Sequence, residues 1–375
     1  MANQRPTTPA VKAATAATTT TTRKEPESTE SPPPRAVAMI VVISRPRLPR
    51  AAARRLPLRA SSARPGSAGY RRTVPGLRKP LLAATAVMAL LALPVAAANA
   101  AGTPPVRYYV AVGDSYAAGF QPGVGATRNG FVYQVPALAR SRGYRLQVVN
   151  FGCSGATSGS IIGTVGCNPN YLGPGAGGYP AQTQLAAATD FIRANRAKIA
   201  LISSSVGLND VNGCSLVVDT TTCFNDGAAR LRSAVGTIAG SLRSAAGPGT
   251  TIVGTTYPDV FLGAWAVFFP APPLPNDAGM RLAKSSVPAF RYRINPALKA
   301  AYADAGASFA DATAATGAYG SLAKRTRLKP WGVLPAPVAN VCRISFWCDK
   351  FDIHLHTSGN RVIAKLVAAK LPKLR

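Results

Sequence analysis

Acidic residues are scarce in this chain of 375 residues, which has 14 Asp and Glu against 43 Lys and Arg and a formal net charge of +29. Residues 1–100 carry 16 basic and 3 acidic side chains, which leaves 27 and 11 for the rest. No dense run of Lys or Arg and no nucleic-acid-binding motif follows position 100. We therefore expect no nucleic-acid partner, and at most a loose association with anionic surfaces.

Histidine is scarcer still. The chain has two histidines, His354 and His356, and its six cysteines include no CxxC pair. A structural zinc site needs four Cys or His ligands close together. We therefore expect no metal and no other cofactor.

The six cysteines form three close pairs along the chain. An even number at such short separations is typical of disulfides made in an oxidising compartment. The sequence alone leaves the connectivity open, but pairing neighbours needs the fewest long-range coincidences. We expect the bridges Cys153–Cys167, Cys214–Cys223 and Cys342–Cys348.

The first hundred residues have two different compositions. Residues 1–70 are rich in Thr, Ala, Pro and Arg and have neither helical nor strand periodicity, which predicts a disordered extension. In residues 71–100, basic residues precede the apolar run 81–98, and Ala-Asn-Ala at 98–100 follows. This pattern predicts a signal peptide cleaved after Ala100.

A membrane anchor is the alternative interpretation of residues 71–100. The apolar run is near the lower limit for spanning a bilayer, and Pro94 interrupts its end. The pair Arg71-Arg72 is a weak sign of twin-arginine export. Because a signal peptide rarely follows seventy residues of coil, we expect translation to start downstream of Met1, at a codon such as that of Val74.

Residues 101–375 alternate between strand-like and helix-like segments. The predicted strands are 108–112, 146–151, 199–206, 251–256 and 308–310, and the predicted helices are 131–140, 184–195, 228–245, 280–303 and 358–371. Pro288 and Pro296 are expected to interrupt the fourth helix. The alternation predicts one α/β domain with a parallel sheet, whose ligands bind at the carboxyl ends of the strands.

Polar motifs follow the first three strands, and a fourth lies in the last loop. They are Gly-Asp-Ser-Tyr at 113–116, Asn-Phe-Gly-Cys-Ser-Gly-Ala-Thr at 150–157, Gly-Leu-Asn-Asp at 207–210 and Asp-Ile-His-Leu-His at 352–356. Each motif alone is explained as well by a helix cap, a turn or a loop contact. Together they indicate catalysis, because a serine nucleophile needs a histidine base and the fourth motif holds both histidines.

At these four motifs the sequence resembles the SGNH, or GDSL-type, hydrolases, over about residues 108–371. It looks closest to the secreted, disulfide-containing esterases and lipases of actinobacteria. The resemblance implies a three-layer α/β/α fold with a flavodoxin-like parallel sheet of about five strands. It implies Ser115 as nucleophile and His354 as general base, with an oxyanion hole formed by the Ser115 N–H, the Gly155 N–H and the Asn209 side chain.

Two positions depart from the family pattern. Leu208 replaces the usual second glycine of the third motif. More important, the family places Asp three residues before the histidine, where this chain has Phe351. Either Asp352 or the Phe351 carbonyl then orients the imidazole of His354, and we slightly favour the carbonyl.

We expect a secreted, monomeric serine ester hydrolase that acts on carboxylic esters through an acyl-enzyme. Two alternatives remain at this stage. One is a secreted acyltransferase that uses the same site. The other is a catalytically silent cell-surface binding module, suggested by the missing Asp at position 351.

Overall fold

The computed structural model describes residues 104–267 and 277–374. The expected N-terminal extension and signal peptide lie outside the described residues. Among the residues described, no helix is both long and apolar enough to cross a membrane.

The described elements alternate as predicted. The strands are β1 Val106–Gly113, β2 Phe120–Gln121, β3 Gly125–Ala126, β4 Arg145–Asn150, β5 Ile199–Ser205, β6 Thr251–Thr255, β7 Ser308–Ala310, β8 Arg325–Leu328 and β9 Gly332–Pro335. The α-helices are α1 Ser115–Ala118, α2 Phe131–Ala139, α3 Ser158–Gly163, α4 Gln184–Ala194, α5 Leu208–Val211, α6 Thr220–Ala246, α7 Asp277–Ala289, α8 Asn295–Asp304, α9 Ala312–Ala315, α10 Ala336–Ile344, α11 Trp347–Lys350 and α12 Thr357–Ala369.

Five strands form the central sheet in the order β4-β1-β5-β6-β7, and every neighbouring pair in it is parallel. Strand order reverses beside β1, which places the carboxyl ends of β1, β4 and β5 together at the switch point. The predicted α/β fold with a five-stranded, flavodoxin-like parallel sheet is confirmed. Two short antiparallel pairs, β2–β3 and β8–β9, complete the described strands.

Burial explains why the central strands could be recognised in the sequence. Every residue of β5 is buried, as expected for a parallel strand covered by helices on both faces.

Two helix predictions need correction. The helix predicted at 228–245 begins earlier, at Thr220, because the Asp219 side chain accepts a hydrogen bond from the Thr222 N–H and caps it.

The single helix predicted at 280–303 is two helices. A π-helical segment, Phe290–Ile294, separates α7 from α8. Pro288 lies within the last turn of α7, and Pro296 lies in the first turn of α8. The first turn of a helix tolerates proline because its N–H groups have no intrahelical acceptor. The interruption expected at the prolines therefore falls between them.

Asp259 is a buried acid outside the motifs. Its side chain is fully buried, Oδ2 accepts a hydrogen bond from Ser286 Oγ at 2.9 Å, and within the described chain Oδ1 has no partner. Burial raises the pKa of Asp259 to about 7, although the Ser286 hydroxyl and nearby backbone N–H groups oppose the shift. The protonated form is therefore the one that the fold favours.

We expect Asp259→Asn to flatten the dependence of stability on pH. A pKa that is raised in the folded state stabilises the protein at low pH, and this contribution is lost as the pH rises through the folded value. The wild type should lose up to about 4 kcal/mol of unfolding free energy between about pH 4 and pH 7 from this group, whereas Asn does not titrate. Urea unfolding of both proteins from pH 4 to pH 8 measures the difference. Parallel curves would contradict the assignment.

Candidate active site

Ser115 lies where β1 turns into α1. Asp114 is the N-cap of that helix, and its Oδ1 accepts a hydrogen bond from the Tyr116 N–H at 2.9 Å. Gly113 has φ of 150°, and a Cβ there would meet the Ser205 carbonyl oxygen at 2.2 Å. Only glycine therefore allows β1 to pass so close to β5 just before the serine. The Ser115 side chain is held at the carboxyl edge of the sheet.

The loop between α10 and α12 brings His354 to Ser115. Backbone hydrogen bonds pair its two arms: the Phe346 N–H donates to the His354 carbonyl at 2.9 Å, and the His356 N–H donates to the Ile344 carbonyl at 2.9 Å. His354 Nε2 lies 2.8 Å from Ser115 Oγ, although the residues are 239 positions apart. This distance is within hydrogen-bonding range for a base that takes the serine proton.

Asp352 lies on the other side of the imidazole. Its Oδ1 is 2.6 Å from His354 Nδ1 and also accepts a hydrogen bond from the His354 N–H at 2.8 Å. Our slight preference for the Phe351 carbonyl does not match this geometry. Phe351 adopts a left-handed conformation with φ of 51°, so the chain turns there and directs the next side chain back to the imidazole. A carboxylate at this distance from Nδ1 is the kind of acceptor that favours the tautomer with the proton on Nδ1.

Two carboxyl groups shape the electrostatics around His354. Burial alone would raise the pKa of Asp352, but hydrogen bonds and charge from His354, together with Lys350, outweigh it and lower the pKa. Burial raises the pKa of Asp114 to about 6, against the opposing effect of a 2.5 Å hydrogen bond from the Tyr257 hydroxyl. Both groups are therefore ionised above neutral pH.

His356 occupies a different environment. Its Nδ1 lies 3.2 Å from the Arg343 carbonyl oxygen, its Nε2 lies 3.6 Å from Asp349 Oδ2, and its ring packs edge-on against Phe346. The structure therefore places His354, and not His356, against Ser115. Within the described ranges, no group of three or more His, Cys, Asp or Glu side chains could hold a metal ion.

The two loops that carry Gly155 and Asn209 are joined to each other. Asn209 Nδ2 donates to the Ala156 carbonyl at 2.9 Å. Asp210 accepts from the Ser158 hydroxyl at 2.5 Å and from the Ser158 N–H at 3.0 Å. Gly155 has φ of 84°, and a Cβ at this position would meet no heavy atom of the described chain within 4 Å, so its backbone faces open space. The loops beyond β4 and β5 thus form one hydrogen-bonded unit beside Ser115.

Three side chains near the site had no role in the sequence analysis. The Tyr116 hydroxyl donates to the Ile353 carbonyl at 2.6 Å and ties the serine turn to the histidine loop. The Phe120 ring lies 4.5 Å from the His354 ring, centroid to centroid. Gln184 hydrogen-bonds the backbone of Gly113 from α4. Tyr116 stands inside the first motif, but nothing local in the sequence marks Phe120 or Gln184.

Three disulfides brace these loops. They are Cys153–Cys167, Cys214–Cys223 and Cys342–Cys348, the neighbouring pairs that the spacing favours, and the described chain has no free cysteine. In the chain-entropy model, closing loops this short stabilises the fold by roughly 2–3 kcal/mol each. Each bridge lies in or beside a loop that carries Gly155, Asn209 or His354. The bridges therefore also restrict how far those loops can move.

The sequence profile described as the GDSL-like Lipase/Acylhydrolase family matches residues 111–362, about two thirds of the chain. The match spans all four motifs and the sheet edge on which they meet. The chain belongs to this family of hydrolases. It is a carboxylic ester hydrolase, which disfavours the silent binding module.

Solved structures give further likenesses. A lipase from a goat rumen metagenome, Lip_vut3, is 13% identical with a TM-score of 0.44, and the match covers 72% of this chain and 100% of that one. TesA is 16% identical with a TM-score of 0.35, and the match covers 71% of this chain and 98% of that one. No curated protein was similar enough to match the sequence.

Proposed function

We propose that the protein hydrolyses carboxylic esters through an acyl-enzyme on Ser115, with His354 as general base and Asp352 as the residue that orients it. The observation that carries the proposal is a continuous series of two side-chain hydrogen bonds. Ser115 Oγ lies 2.8 Å from His354 Nε2, and His354 Nδ1 lies 2.6 Å from Asp352 Oδ1. This is the geometry that activates a serine hydroxyl, which is otherwise a weak nucleophile near neutral pH.

The reaction proceeds in two halves. Ser115 Oγ forms a bond to the ester carbonyl carbon while its proton passes to His354 Nε2. The bond to the alcohol oxygen then breaks, and His354 returns the proton to the leaving alcohol. In the second half, water attacks the acyl-enzyme and gives a proton to His354, which passes to Ser115 Oγ as the acid leaves. Asp352 stabilises the imidazolium that forms in each half.

The oxyanion of each tetrahedral intermediate is held by three donors in this proposal. They are the Ser115 N–H, the Gly155 N–H and the Asn209 side-chain amide. In the part of the chain that is described, neither backbone N–H donates to a protein acceptor, and Asn209 commits one of its two amide protons to Ala156. The remaining donors are therefore available to the negative charge that develops on the substrate oxygen.

Removing the Asn209 donor should slow the chemical step. We expect Asn209→Ala to lower kcat by about two to three orders of magnitude with a much smaller change in KM, because the oxyanion forms only in the transition state. Steady-state hydrolysis of a p-nitrophenyl ester measures both constants. Asn212→Ala in the following segment is the control and should keep kcat close to that of the wild type. A change in KM alone would argue against an oxyanion role.

A series of p-nitrophenyl esters from acetate to palmitate tests the activity and ranks the acyl chains. A reactive alkylphosphonate should label the protein once, and peptide mass mapping should place the label on Ser115. Turnover without labelling of Ser115 would place the chemistry elsewhere. Absence of turnover on every ester of the series would contradict the proposed activity.

We further propose that residues 101–375 are the mature, secreted hydrolase domain and that residues 71–100 are its signal peptide. Support comes from the leader-like composition of residues 71–100 and from three disulfides, which persist in oxidising compartments. N-terminal sequencing of exported protein should begin within a residue or two of Ala101. A mature protein that begins upstream of position 90 would exclude this cleavage.

We also propose that the mature domain is a monomer that binds anionic surfaces only loosely. The excess of Lys and Arg over Asp and Glu after position 100 supports this association, since a positive net charge attracts anionic surfaces without a dedicated site. Cosedimentation with anionic vesicles should fall as salt is raised, because exposed charges are screened. Binding that survives high salt would indicate a specific site instead.

A further inference from the structure

Gln184 is an unusual residue for the start of a helix. It is the first residue of α4, a position that normally faces solvent, yet it is 3% exposed. A buried side-chain amide is costly unless it is hydrogen-bonded. The hydrogen-bond partners of the Gln184 side chain therefore indicate why this amide is buried.

The Gln184 amide binds both backbone groups of one residue, Gly113. The Gly113 N–H donates to Gln184 Oε1 at 2.7 Å, and Gln184 Nε2 donates to the Gly113 carbonyl at 3.0 Å. Gln184 Nε2 also lies 3.4 Å from the Tyr179 hydroxyl, which in turn donates to the Phe151 carbonyl at 3.0 Å. A chain of side-chain hydrogen bonds thus connects the end of β1 to the segment that follows β4.

These contacts take the place of one backbone hydrogen bond between β1 and the segment that follows β4. β1 and β4 pair in parallel up to Ala111 and Asn150, and the Phe151 N–H still donates to the Ala111 carbonyl at 2.8 Å. In this register the next bond of a parallel ladder would run from the Gly113 N–H to the Phe151 carbonyl. The Gln184 amide and the Tyr179 hydroxyl occupy both of those groups instead. The two segments stay joined beyond this position, because the Cys153 N–H donates to the Gly113 carbonyl at 3.0 Å. The side chains of Gln184 and Tyr179 thus form a wedge that is inserted between two backbone hydrogen bonds of the ladder.

The wedge lies directly before the two loops of the proposed oxyanion hole. Gly113 is two residues before Ser115, and Phe151 is four residues before Gly155. A cavity of about 150 Å³ borders the wedge and is lined by the Gly155 loop, Tyr179 and Gln184, so the loop has room to shift if the wedge is removed. Gln184 and Tyr179 therefore contact both of the segments that lead to the Ser115 and Gly155 N–H donors.

We propose that Gln184, acting with Tyr179, is a positioning residue that sets the distance between the Ser115 and Gly155 N–H donors. The inference rests on the proposed function, because it concerns the oxyanion hole of that reaction. Preorganised donors stabilise the transition state only when they are held at the correct spacing, and a displacement of about 1 Å can cost about a hundredfold in rate. The expected defect is therefore in kcat and not in substrate binding.

The test compares Gln184→Met, which keeps the volume and removes the hydrogen bonds, with Gln121→Met. Gln121 is also a buried amide, but among the described residues its side chain bonds only Thr127 and Asn129, just after the β2–β3 hairpin. Each kcat is divided by the active-site concentration found by phosphonate titration, so a partly unfolded sample does not affect it. We expect kcat of Gln184→Met to fall between about tenfold and a hundredfold, with KM within about threefold.

The rate of phosphonate inactivation supplies the second readout, because the phosphonylated serine mimics the tetrahedral intermediate. This rate should fall in the same proportion as kcat in Gln184→Met and stay unchanged in Gln121→Met. If Gln184→Met does not fold, Gln184→Glu keeps the shape and the acceptor for the Gly113 N–H and should show the same kcat defect. An unchanged kcat, an equal loss in Gln121→Met, or a rise in KM alone would overturn the inference. A wild type that neither hydrolyses esters nor labels at Ser115 would instead overturn the proposed function.

Discussion

Ser115→Ala is expected to lower kcat for p-nitrophenyl esters by about six orders of magnitude, to the background of the assay. No other group in the proposed mechanism can form the acyl-enzyme, so the substitution removes the covalent route and leaves only binding and the oxyanion donors. The fold should be unaffected. The Ser115 side chain is at the edge of the sheet, and Ala is well tolerated in the first turn of a helix.

Ser205→Ala provides the matched control. Ser205 is a buried serine at the end of the neighbouring strand β5, and among the described residues its hydroxyl has no hydrogen-bond partner. Removing that hydroxyl should leave kcat within about threefold of the wild type. Melting temperatures and phosphonate labelling complete the comparison. Comparable activity in Ser115→Ala and the wild type would exclude Ser115 as the nucleophile.

Asp352→Asn is expected to have the next largest effect, a fall in kcat of about three to four orders of magnitude. The substitution keeps the shape of the side chain and removes its charge. An Asn amide that donates to His354 Nδ1 would stabilise the wrong tautomer, in which Nε2 carries the proton and cannot accept one from Ser115. The imidazolium formed during the reaction would also lose the carboxylate beside it.

The same loop offers a control for Asp352. Asp349 pairs with His356 at 3.6 Å, so the loop holds a second Asp and His pair that lies away from Ser115. Asp349→Asn should change kcat by no more than about threefold, because this pair is partly exposed and lies away from Ser115. If Asp352→Asn loses tenfold or less, the orienting group is not the carboxylate and the Phe351 carbonyl takes its place. Pre-steady-state measurement of the rate of acyl-enzyme formation in Asp352→Asn and in the wild type would distinguish the carboxylate from the carbonyl as the orienting group.

The fold was accessible from the sequence because its signals are local. Parallel strands buried on both faces are continuous apolar segments, and β5 could be recognised from its own residues. The carboxyl ends of parallel strands meet at one edge of the sheet, so the motifs after β1, β4 and β5 had to come together once the alternation was recognised. The motifs that contain Ser115, Gly155 and Asn209 could therefore be placed at one edge from local signals, whereas the roles proposed for these residues came from the resemblance to a known family.

The ends of helices were harder to predict from the sequence, because they depend on tertiary contacts and capping residues that compete with intrinsic helix propensity. The Thr-rich start of α6 has weak helix propensity, yet the Asp219 cap and the Cys214–Cys223 bridge extend the helix to Thr220. Likewise, Pro288 and Pro296 predicted a break in the helix, but the π-helical segment between the two prolines determines where the break lies. In both cases tertiary or capping interactions, and not local preference, set where the element ends.

The sequence by itself determined the class of sheet and placed polar motifs at the carboxyl edge and in the last loop, because these follow from periodicity. The roles proposed for Ser115 and His354 came from the resemblance to a known family. Only the tertiary structure placed the Asp352 carboxylate beside His354, since the left-handed turn at Phe351 controls the direction of the Asp352 side chain. It alone brought Tyr116 to Ile353 and Gln184 to Gly113, across 237 and 71 positions. Such contacts carry no local signature, because packing between distant segments brings the two partners together.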